Sequence, residues 1–219
     1  MEWDFKRALG RKLIHVLSIS FLIIYILVSS TFNHKIALFI LAFLLIILIE
    51  LEYFRVELGI HIPILGYLWK RFRREKEKHT LGGEVFFLIS SIIVLAIFDL
   101  RIAAAAILMT TFGDMAAALI GKRFGRIWIT KKIALEGVLA ELIVNIVIGF
   151  LILRTSLWWI NPSAGFGSAL WIIILVMSIT ATVVESAISK FDDNLLIPIF
   201  SGFNGQIVLW LMMYFGYVV

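Results

Sequence analysis

The sequence predicts an all-α, polytopic membrane protein, a transmembrane bundle of about seven helices formed by a single domain over residues 1–219. Hydrophobic residues make up 62% of the chain and charged residues 16%, whereas soluble domains are roughly half apolar and a quarter charged. A soluble fold of this size has too much surface to bury such an excess. The apolar residues also form long runs, and runs near 20 residues are typical of membrane spans.

Seven apolar segments, separated by polar or glycine-containing stretches, define the predicted helices. Residues 195–200 are apolar, but Pro198 interrupts them and Gly202 and Gly205 follow closely. We therefore expect this segment to be a re-entrant turn or the frayed start of the last helix. The predicted helices cover residues 12–30, 36–54, 84–99, 102–121, 133–153, 168–189 and 204–219.

The positions of lysine and arginine predict a cytoplasmic N-terminus. With seven spans, the 20 Lys and Arg residues lie on the N-terminal side of the membrane except for Lys35, Arg101 and Arg154. Cytoplasmic loops carry such an excess. The N-terminus is basic and precedes an apolar run, as in a signal peptide, but further spans follow and we expect a retained first helix.

Charge and cysteine content narrow the class of function. The net charge of +5 suits contact with anionic lipid or nucleotide phosphate. The basic residues lie between the spans, which argues against a nucleic-acid partner. The chain contains no cysteine, so disulfides, thiolate metal sites and a cysteine nucleophile are excluded.

A first polar cluster opens the first predicted helix. Arg11 and His15 are four residues apart and share a helical face, with Lys12 beside them. Basic residues at a helix start suit the headgroup level on their own. His15 lies inside an apolar run and is either a satisfied buried histidine or a partner of a phosphate or carboxylate.

A second cluster, His79-Thr80-Leu81-Gly82-Gly83-Glu84, opens the third predicted helix. Thr80 is the expected N-cap. The paired glycines would leave backbone N–H groups open at a helix N-terminus, which attracts anions. Glu84 would suit a cation that bridges to phosphate, although a simple cap and turn is the alternative.

A third cluster runs from Gly113 to Gly125. Gly113, Ala117 and Gly121 are four residues apart, which predicts a stripe of small residues for close helix contact. Asp114 lies beside this stripe in an otherwise apolar helix, where a carboxylate needs a cation, a partner or a proton. The basic residues Lys122, Arg123 and Arg126 follow, and a carboxylate near phosphate suits Mg²⁺.

Two further clusters belong to the fifth and sixth predicted helices. Lys131 and Lys132 either clamp phosphate or extend to the membrane surface, and Glu136 and Gly137 follow them. Gly137, Glu141 and Asn145 share one helical face, as do Thr182, Glu185 and Ser189. Asp192 and Asp193 form either a metal site or acid/base pair, or a solvated loop that ends the helix.

These clusters place carboxylates, glycine turns and many cations on one predicted membrane face. Phosphoryl and nucleotidyl transfer need Mg²⁺ that bridges phosphates, cations that neutralise charge and a carboxylate that accepts a hydroxyl proton. Nucleoside triphosphates are cytoplasmic, which matches the predicted side. The sequence has no GxxxxGK[ST] motif, so a P-loop is excluded.

The same motifs resemble those of the dolichol kinase family, which also includes phytol kinase and a CTP-dependent diacylglycerol kinase. A shorter stretch, Gly113-Asp114 followed by Gly121-Lys122-x-Phe124-Gly125, is distantly similar to phosphatidate cytidylyltransferases, whose C-terminal signature is missing. The motifs in order are Arg11-Lys12-x-x-His15, His79-Thr80-x-Gly82-Gly83-Glu84, Gly113-Asp114-x-x-Ala117-x-x-x-Gly121-x-x-Phe124-Gly125, Lys132-x-x-x-Glu136-Gly137 and Glu185-x-x-x-x-x-x-Asp192-Asp193-Asn194-x-x-x-Pro198.

The resemblance implies a multi-pass membrane enzyme, one catalytic domain over the whole chain, that phosphorylates a lipid alcohol at the cytoplasmic face. CTP would be the phosphoryl donor and Mg²⁺ or another divalent cation the cofactor, and the alcohol would be a polyprenol, dolichol or another isoprenoid alcohol. The bilayer is a further partner, and a second copy of the chain a possible one. Cytidylyl transfer to a lipid and an ion-coupled transporter are the alternatives.

The resemblance and the clusters together assign roles to individual residues. The expected catalytic residues are Asp114, Glu136, Asp192 and Asp193, and the expected metal ligands are Glu84, Asp114, Asp192 and Asp193. The residues expected to bind nucleotide or phosphate are His79, Gly82, Gly83, Gly113, Gly121, Lys122, Arg123, Gly125, Lys131, Lys132 and Gly137. The residues expected on the lipid headgroup side are Arg11, Lys12, His15 and Glu185.

Overall fold

The computed structural model describes residues 18–57, 80–130, 133–154, 169–187 and 191–217. Seven α-helices lie within these residues, which confirms the predicted all-α fold. Five of them are long and apolar enough to cross a membrane. The helices are α1 (Ile19–Thr31), α2 (His34–Val56), α3 (Gly83–Ile97), α4 (Leu100–Phe124), α5 (Leu135–Arg154), α6 (Leu170–Ala187) and α7 (Asp193–Tyr214).

The two helices without span length are α1, with 13 residues, and α3, with 15. At 1.5 Å per residue they extend over about 20 Å, less than the roughly 30 Å hydrocarbon core. The five with span length are α2 and α4 to α7. The expected set of about seven spans is therefore present as seven apolar helices of unequal length.

The predicted start of the last helix was wrong. Helix α7 begins at Asp193 and continues through Pro198, so residues 195–200 are neither a re-entrant turn nor a frayed end. Pro198 cannot donate a hydrogen bond to the carbonyl one turn before it. The small residues Ser201, Gly202 and Gly205 follow on the buried side of α7, and the two glycines pack closely against Phe98 and Met177.

The described residues divide into two compact units, one up to Ile92 and one from Ile93 onward. In the first unit, α1 and α2 form a helical hairpin. Asn33 caps α2, because its side-chain oxygen accepts a hydrogen bond from Ile36 N at 2.9 Å. The hydroxyl of Tyr25 hydrogen-bonds to Nδ1 of His34 across the turn.

In the second unit, α4 and α5 cross along a stripe of small residues. A Cβ atom built on Gly137 would lie 3.1 Å from the Cα of Gly121, and one built on Gly149 would lie 2.8 Å from Cε of Met109. Residues later in α4 contact residues earlier in α5, so the two helices are antiparallel. The close contact predicted from the spacing of Gly113, Ala117 and Gly121 is confirmed for Gly113 and Gly121.

The remaining contacts of this unit are also antiparallel. Asn204 of α7 donates from Nδ2 to Thr180 Oγ1 of α6 at 3.0 Å. Gly205 of α7 approaches Ile102 near the start of α4. Consequently one end of the four-helix unit collects the end of α4, the start of α5, the end of α6 and the start of α7. We call it the polar end.

The interior of the four-helix unit has two chemically different halves. The half away from the polar end is an apolar core, made from the first turns of α4, the end of α5, the start of α6 and the later part of α7. Towards the polar end, buried hydroxyl, amide and carboxyl groups lie among the apolar residues. The apolar core comprises Ile102, Ala105, Ala106, Met109, Leu153, Ala169, Ile173, Ile174, Met177 and Leu209.

Candidate active site

A group of polar side chains from three helices meets inside the second unit. Asn145 of α5 donates from Nδ2 to Glu141 Oε1 at 3.4 Å and to Thr182 Oγ1 of α6 at 3.3 Å. Glu141 also lies beside the side chain of Glu185 and close enough to Asp114 of α4 for electrostatic repulsion. We call Asp114, Glu141, Asn145, Thr182 and Glu185 the polar cluster.

The polar cluster lies below the ends of its helices. Glu141 is six residues into α5 and Asp114 is ten residues before the end of α4, which corresponds to depths of about 9 and 15 Å. Asp114 is 7% exposed and Glu141 1% exposed. Ionisable groups buried in membrane-spanning helices are expensive and mark functional sites by default, so the cluster is the strongest candidate site in the second unit.

Because Gly113 has no side chain, Asn145 of the polar cluster can lie in the contact between α4 and α5. A Cβ atom at position 113 would overlap Oδ1 of Asn145. Asn145 is fully buried, and its Oδ1 accepts no hydrogen bond from the described residues. Gly113 was predicted to bind nucleotide or phosphate, but its described neighbour is an amide on the adjacent helix. Its nucleotide role stays a prediction, and its packing role is a finding.

Glu136 stabilises the loop between α4 and α5. Its Oε1 accepts hydrogen bonds from the backbone N–H groups of Arg126 at 3.0 Å and Ile127 at 3.2 Å. An antiparallel bridge between Trp128 and Ala134 folds the same loop back on itself. The carboxylate that sequence reasoning expected to be catalytic thus has a positional role in the loop, and its catalytic role stays a prediction.

Asp192 forms the N-cap of α7. Its Oδ1 accepts hydrogen bonds from the backbone N of Asn194 at 3.2 Å and from Nδ2 of Asn194 at 2.8 Å. Asp193 follows in the first turn, where a negative charge favours the helix dipole. The solvated-loop alternative is therefore incomplete, because Asp192 has a defined role in starting the helix.

The same end of the four-helix unit holds the basic and glycine positions of the third cluster. Lys122 and Arg123 are exposed in the last turn of α4. A Cβ on Gly125 would lie 2.7 Å from Cβ of Ala134, so this glycine lets the loop turn tightly against the start of α5. Phosphate binding by these residues stays a prediction.

In the first unit, an acid that the sequence analysis did not single out organises the second cluster. Glu52 is 1% exposed and accepts from Arg55 Nη2 at 2.8 Å and from the backbone N of Gly82 at 3.0 Å. Arg55 Nη2 also donates to the carbonyl oxygen of Thr80 at 2.8 Å. The signal available in the sequence was an acid and an arginine three residues apart at the end of a span.

Two expectations for the second cluster were wrong. Thr80 is not the N-cap, because α3 begins at Gly83 and the residue before it is Gly82. The N–H of Gly82 is not open to an anion, since the carboxylate of Glu52 already occupies it. Gly83 and Glu84 lie in the first turn of α3, and their phosphate and metal roles stay predictions.

The predicted Mg²⁺ site depends on where the acidic side chains lie. Among the residues that the structure describes, no group of three or more His, Asp or Glu side chains gathers in a metal-binding arrangement. Mg²⁺ usually takes only one or two carboxylates and completes its shell with water and substrate phosphates. Asp192 and Asp193 at the start of α7 suit such a site in their chemistry, and Asp114 belongs to the same unit.

Several predicted site residues lie outside the described part of the chain. They are Arg11, Lys12, His15, His79, Lys131 and Lys132.

Two curated proteins are similar to this chain. CTP-dependent diacylglycerol kinase 1 of Saccharomyces cerevisiae is 26% identical over 223 aligned residues, which cover 91% of this chain and 74% of the relative. CTP-dependent diacylglycerol kinase 1 of Schizosaccharomyces pombe is 28% identical over 151 residues, which cover 64% of this chain and 67% of the relative. Both relatives are CTP-dependent lipid kinases.

This similarity confirms the prediction of a CTP-dependent lipid kinase. It supports the diacylglycerol kinase branch of the predicted resemblance, and the likeness to dolichol kinase, phytol kinase and phosphatidate cytidylyltransferases stays a prediction. No family model matches the chain, and no solved structure matches it significantly. The first relative aligns with nine-tenths of this chain, so the similarity includes both compact units.

Proposed function

We propose that this protein transfers the γ-phosphoryl group of CTP to the hydroxyl group of a membrane lipid alcohol at the cytoplasmic face. The observation that carries the proposal is the polar cluster, a set of buried carboxyl, amide and hydroxyl groups within three apolar helices. A lipid hydroxyl lies at or below the headgroup level. A phosphoryl acceptor site for it therefore needs polar groups inside the bundle, near its polar end.

Diacylglycerol is the first substrate to consider, because both similar proteins are named for it. A polyprenol, dolichol or other isoprenoid alcohol is the second, from the motif resemblance. Both present a single hydroxyl beside long apolar chains, so the same buried polar site serves either one. The exposed faces of α4 to α7 are apolar and leave the lipid chains in a hydrocarbon environment.

The reaction assigns roles to residues at the polar end. Lys122, Arg123 and the lysines at 131 and 132 would neutralise the phosphates. The acceptor oxygen forms a bond to the γ-phosphorus, the bond from that phosphorus to the β–γ bridging oxygen breaks, and CDP leaves. The hydroxyl proton passes to a carboxylate, for which Asp114 is the candidate.

Asp192 and Asp193, together with Asp114 of the same unit, would hold a divalent cation. Such a cation, when bound, neutralises charge on the phosphates. The chain itself would orient the acceptor: α4, α5 and α6 bury most of the polar cluster, and the loop that Glu136 holds lies at the same end as Lys122 and Arg123.

The decisive test is product identification. Purified protein in liposomes is incubated with γ-labelled CTP or ATP and separate preparations of diacylglycerol, a polyprenol and phytol. We expect a labelled lipid phosphate and CDP, and loss of at least about 100-fold in rate for Asp114→Asn. A CDP-lipid with release of pyrophosphate would instead indicate cytidylyl transfer, and ion flux without nucleotide turnover would indicate a transporter.

A further inference from the structure

Glu141 occupies an unusual place in the second unit. It is 1% exposed and lies on the α5 face that packs against α4. The antiparallel register, defined by Gly113 with Asn145 and Gly121 with Gly137, puts Ala117 opposite Glu141. A small residue at that point leaves space for a carboxyl group between two helices. The motif resemblance assigned no role to Glu141.

The contacts of Glu141 extend to both neighbouring helices. On α6 it lies beside the side chains of Glu185 and Thr182, and on α4 it faces Asp114. Asn145, one turn further along α5, donates to Glu141 and to Thr182. Glu141 and Asn145 together therefore connect α5 to the polar side chains of α6. Asn145 also packs against α4 at Gly113.

Burial separates the members of the cluster into two layers. Glu141 and Asn145 are inaccessible from outside the bundle, whereas Glu185 is partly exposed and Asp114 and Thr182 retain 7% and 6% exposure. At 1% exposure, Glu141 is closed to a substrate in this structure. Any effect of Glu141 on the reaction must then pass through the side chains that it holds.

We propose that Glu141 is a positioning residue that, with Asn145, holds Thr182 and Glu185 of α6 in place beside Asp114 of α4 for the lipid acceptor. This inference rests on the proposed lipid-kinase function. The reacting groups come from different helices, and a displacement of about 1 Å between them can reduce a rate roughly 100-fold. A buried network of hydrogen bonds across three helices limits such displacement.

The matched test uses one substitution at two positions of α6. Thr182→Val removes a hydroxyl that accepts a hydrogen bond from Asn145 and lies beside Glu141. Thr180→Val, two residues earlier, removes a hydroxyl that bonds only to Asn204 of α7 among the hydrogen bonds observed for it. We expect kcat to fall at least about 10-fold for Thr182→Val with KM for CTP unchanged, and to stay within about 2-fold for Thr180→Val.

Variants at Glu141 separate positioning from chemistry. Glu141→Gln keeps the shape and can donate a hydrogen bond to Glu185, so we expect kcat within about 5-fold of wild type, with an unchanged pH profile. Glu141→Leu removes the hydrogen bonds, and we expect about a 100-fold loss of kcat without a change in KM for CTP. Full activity of both Glu141→Leu and Thr182→Val would overturn the inference. Equal loss in Glu141→Gln and Glu141→Leu would also overturn it, since the acid itself would then be required.

A distance measurement between α4 and α6 tests the positioning role of Glu141 independently of the proposed kinase activity. The chain has no cysteine, so spin labels can be attached at Phe124→Cys and Val183→Cys, two positions that are each 55% exposed. We expect the distance distribution between α4 and α6 to broaden or shift in Glu141→Leu and to remain unchanged in Glu141→Gln. An unchanged distribution in Glu141→Leu would contradict positioning, even if the wild-type protein phosphorylated no lipid tested.

Discussion

The side-chain oxygen of Asn145 lies where any residue other than glycine at position 113 would place its Cβ atom. This relationship joins the helix that carries Asp114 to the helix that carries Glu141. It also explains why a fully buried amide can lie in the α4–α5 contact, where the opposing helix would otherwise present a side chain. The pair therefore determines how deeply α5 packs into α4 beside the polar cluster.

Gly113→Ala is expected to destabilise the protein by about 1–3 kcal/mol, because the added methyl group must displace a buried side chain. Asn145→Ala should also destabilise, since it removes two hydrogen bonds. The double variant should be more stable than the sum of the two effects predicts, since the overlap disappears with the amide. Thermal unfolding in detergent measures all three, and strict additivity would contradict the contact.

The crossing of α4 and α5 gives an asymmetric prediction for two glycines. A Cβ on Gly137 would lie 2.7 Å from the carbonyl oxygen of Ala117, whereas one on Gly121 would be 3.5 Å from Cα of Gly137. Gly137→Ala should therefore force the backbones apart and lower stability by about 1–3 kcal/mol. Gly121→Ala, the matched control, should be tolerated. Equal effects on the unfolding temperature would argue against this geometry.

The buried ion pair of the first unit predicts a large effect at Glu52. The side chains of Glu52 and Arg55 are 2% and 8% exposed, and loss of one partner from such a pair destabilises by about 3–5 kcal/mol. Glu52→Leu should lower the unfolding temperature strongly, while Glu50→Leu, at an exposed position of the same helix, should not. Hydrogen exchange at the Gly82 amide should accelerate in Glu52→Leu alone; an unchanged rate would contradict the bond.

Two variants of Glu136 distinguish its observed role from its predicted one. Glu136→Gln keeps an oxygen that accepts from Arg126 N and Ile127 N, whereas Glu136→Ala removes both hydrogen bonds. If the side chain only holds the loop, Glu136→Gln should retain most activity. Glu136→Ala should raise KM for CTP several-fold and increase proteolysis of the loop. Loss of kcat in Glu136→Gln with an intact loop would support the catalytic role.

Asp192 allows the same separation between capping and chemistry. Asparagine is as good an N-cap as aspartate, whereas alanine loses about 1 kcal/mol. Asp192→Asn should therefore leave thermal stability unchanged, and Asp192→Ala should lower it. If Asp192 also holds a divalent cation, Asp192→Asn should raise the Mg²⁺ concentration needed for half-maximal activity at least 10-fold. Unchanged Mg²⁺ dependence would leave Asp192 as a cap alone.

The sequence by itself determined the helices and their contact faces. Apolar runs and polar boundaries predicted all seven helices, although the last starts eleven residues earlier than expected, at 193 and not 204. The four-residue spacing of Gly113, Ala117 and Gly121 predicted the α4 contact stripe, and Gly137, Glu141 and Asn145 share the complementary face of α5. These features are local, because residues three or four apart lie on one side of a helix.

Only the tertiary structure decided which faces meet. Asn145 and Thr182 are 37 residues apart, and Glu52 and Gly82 are 30 apart, so no helical periodicity relates them. Likewise, the sequence predicted a re-entrant turn or a frayed helix start at residues 195–200, but α7 continues through Pro198, with Gly202 and Gly205 packed closely against neighbouring side chains. Local pattern determines which residues share a face. The partner of that face depends on how all the helices fill their common interior, which follows from close packing across the whole fold.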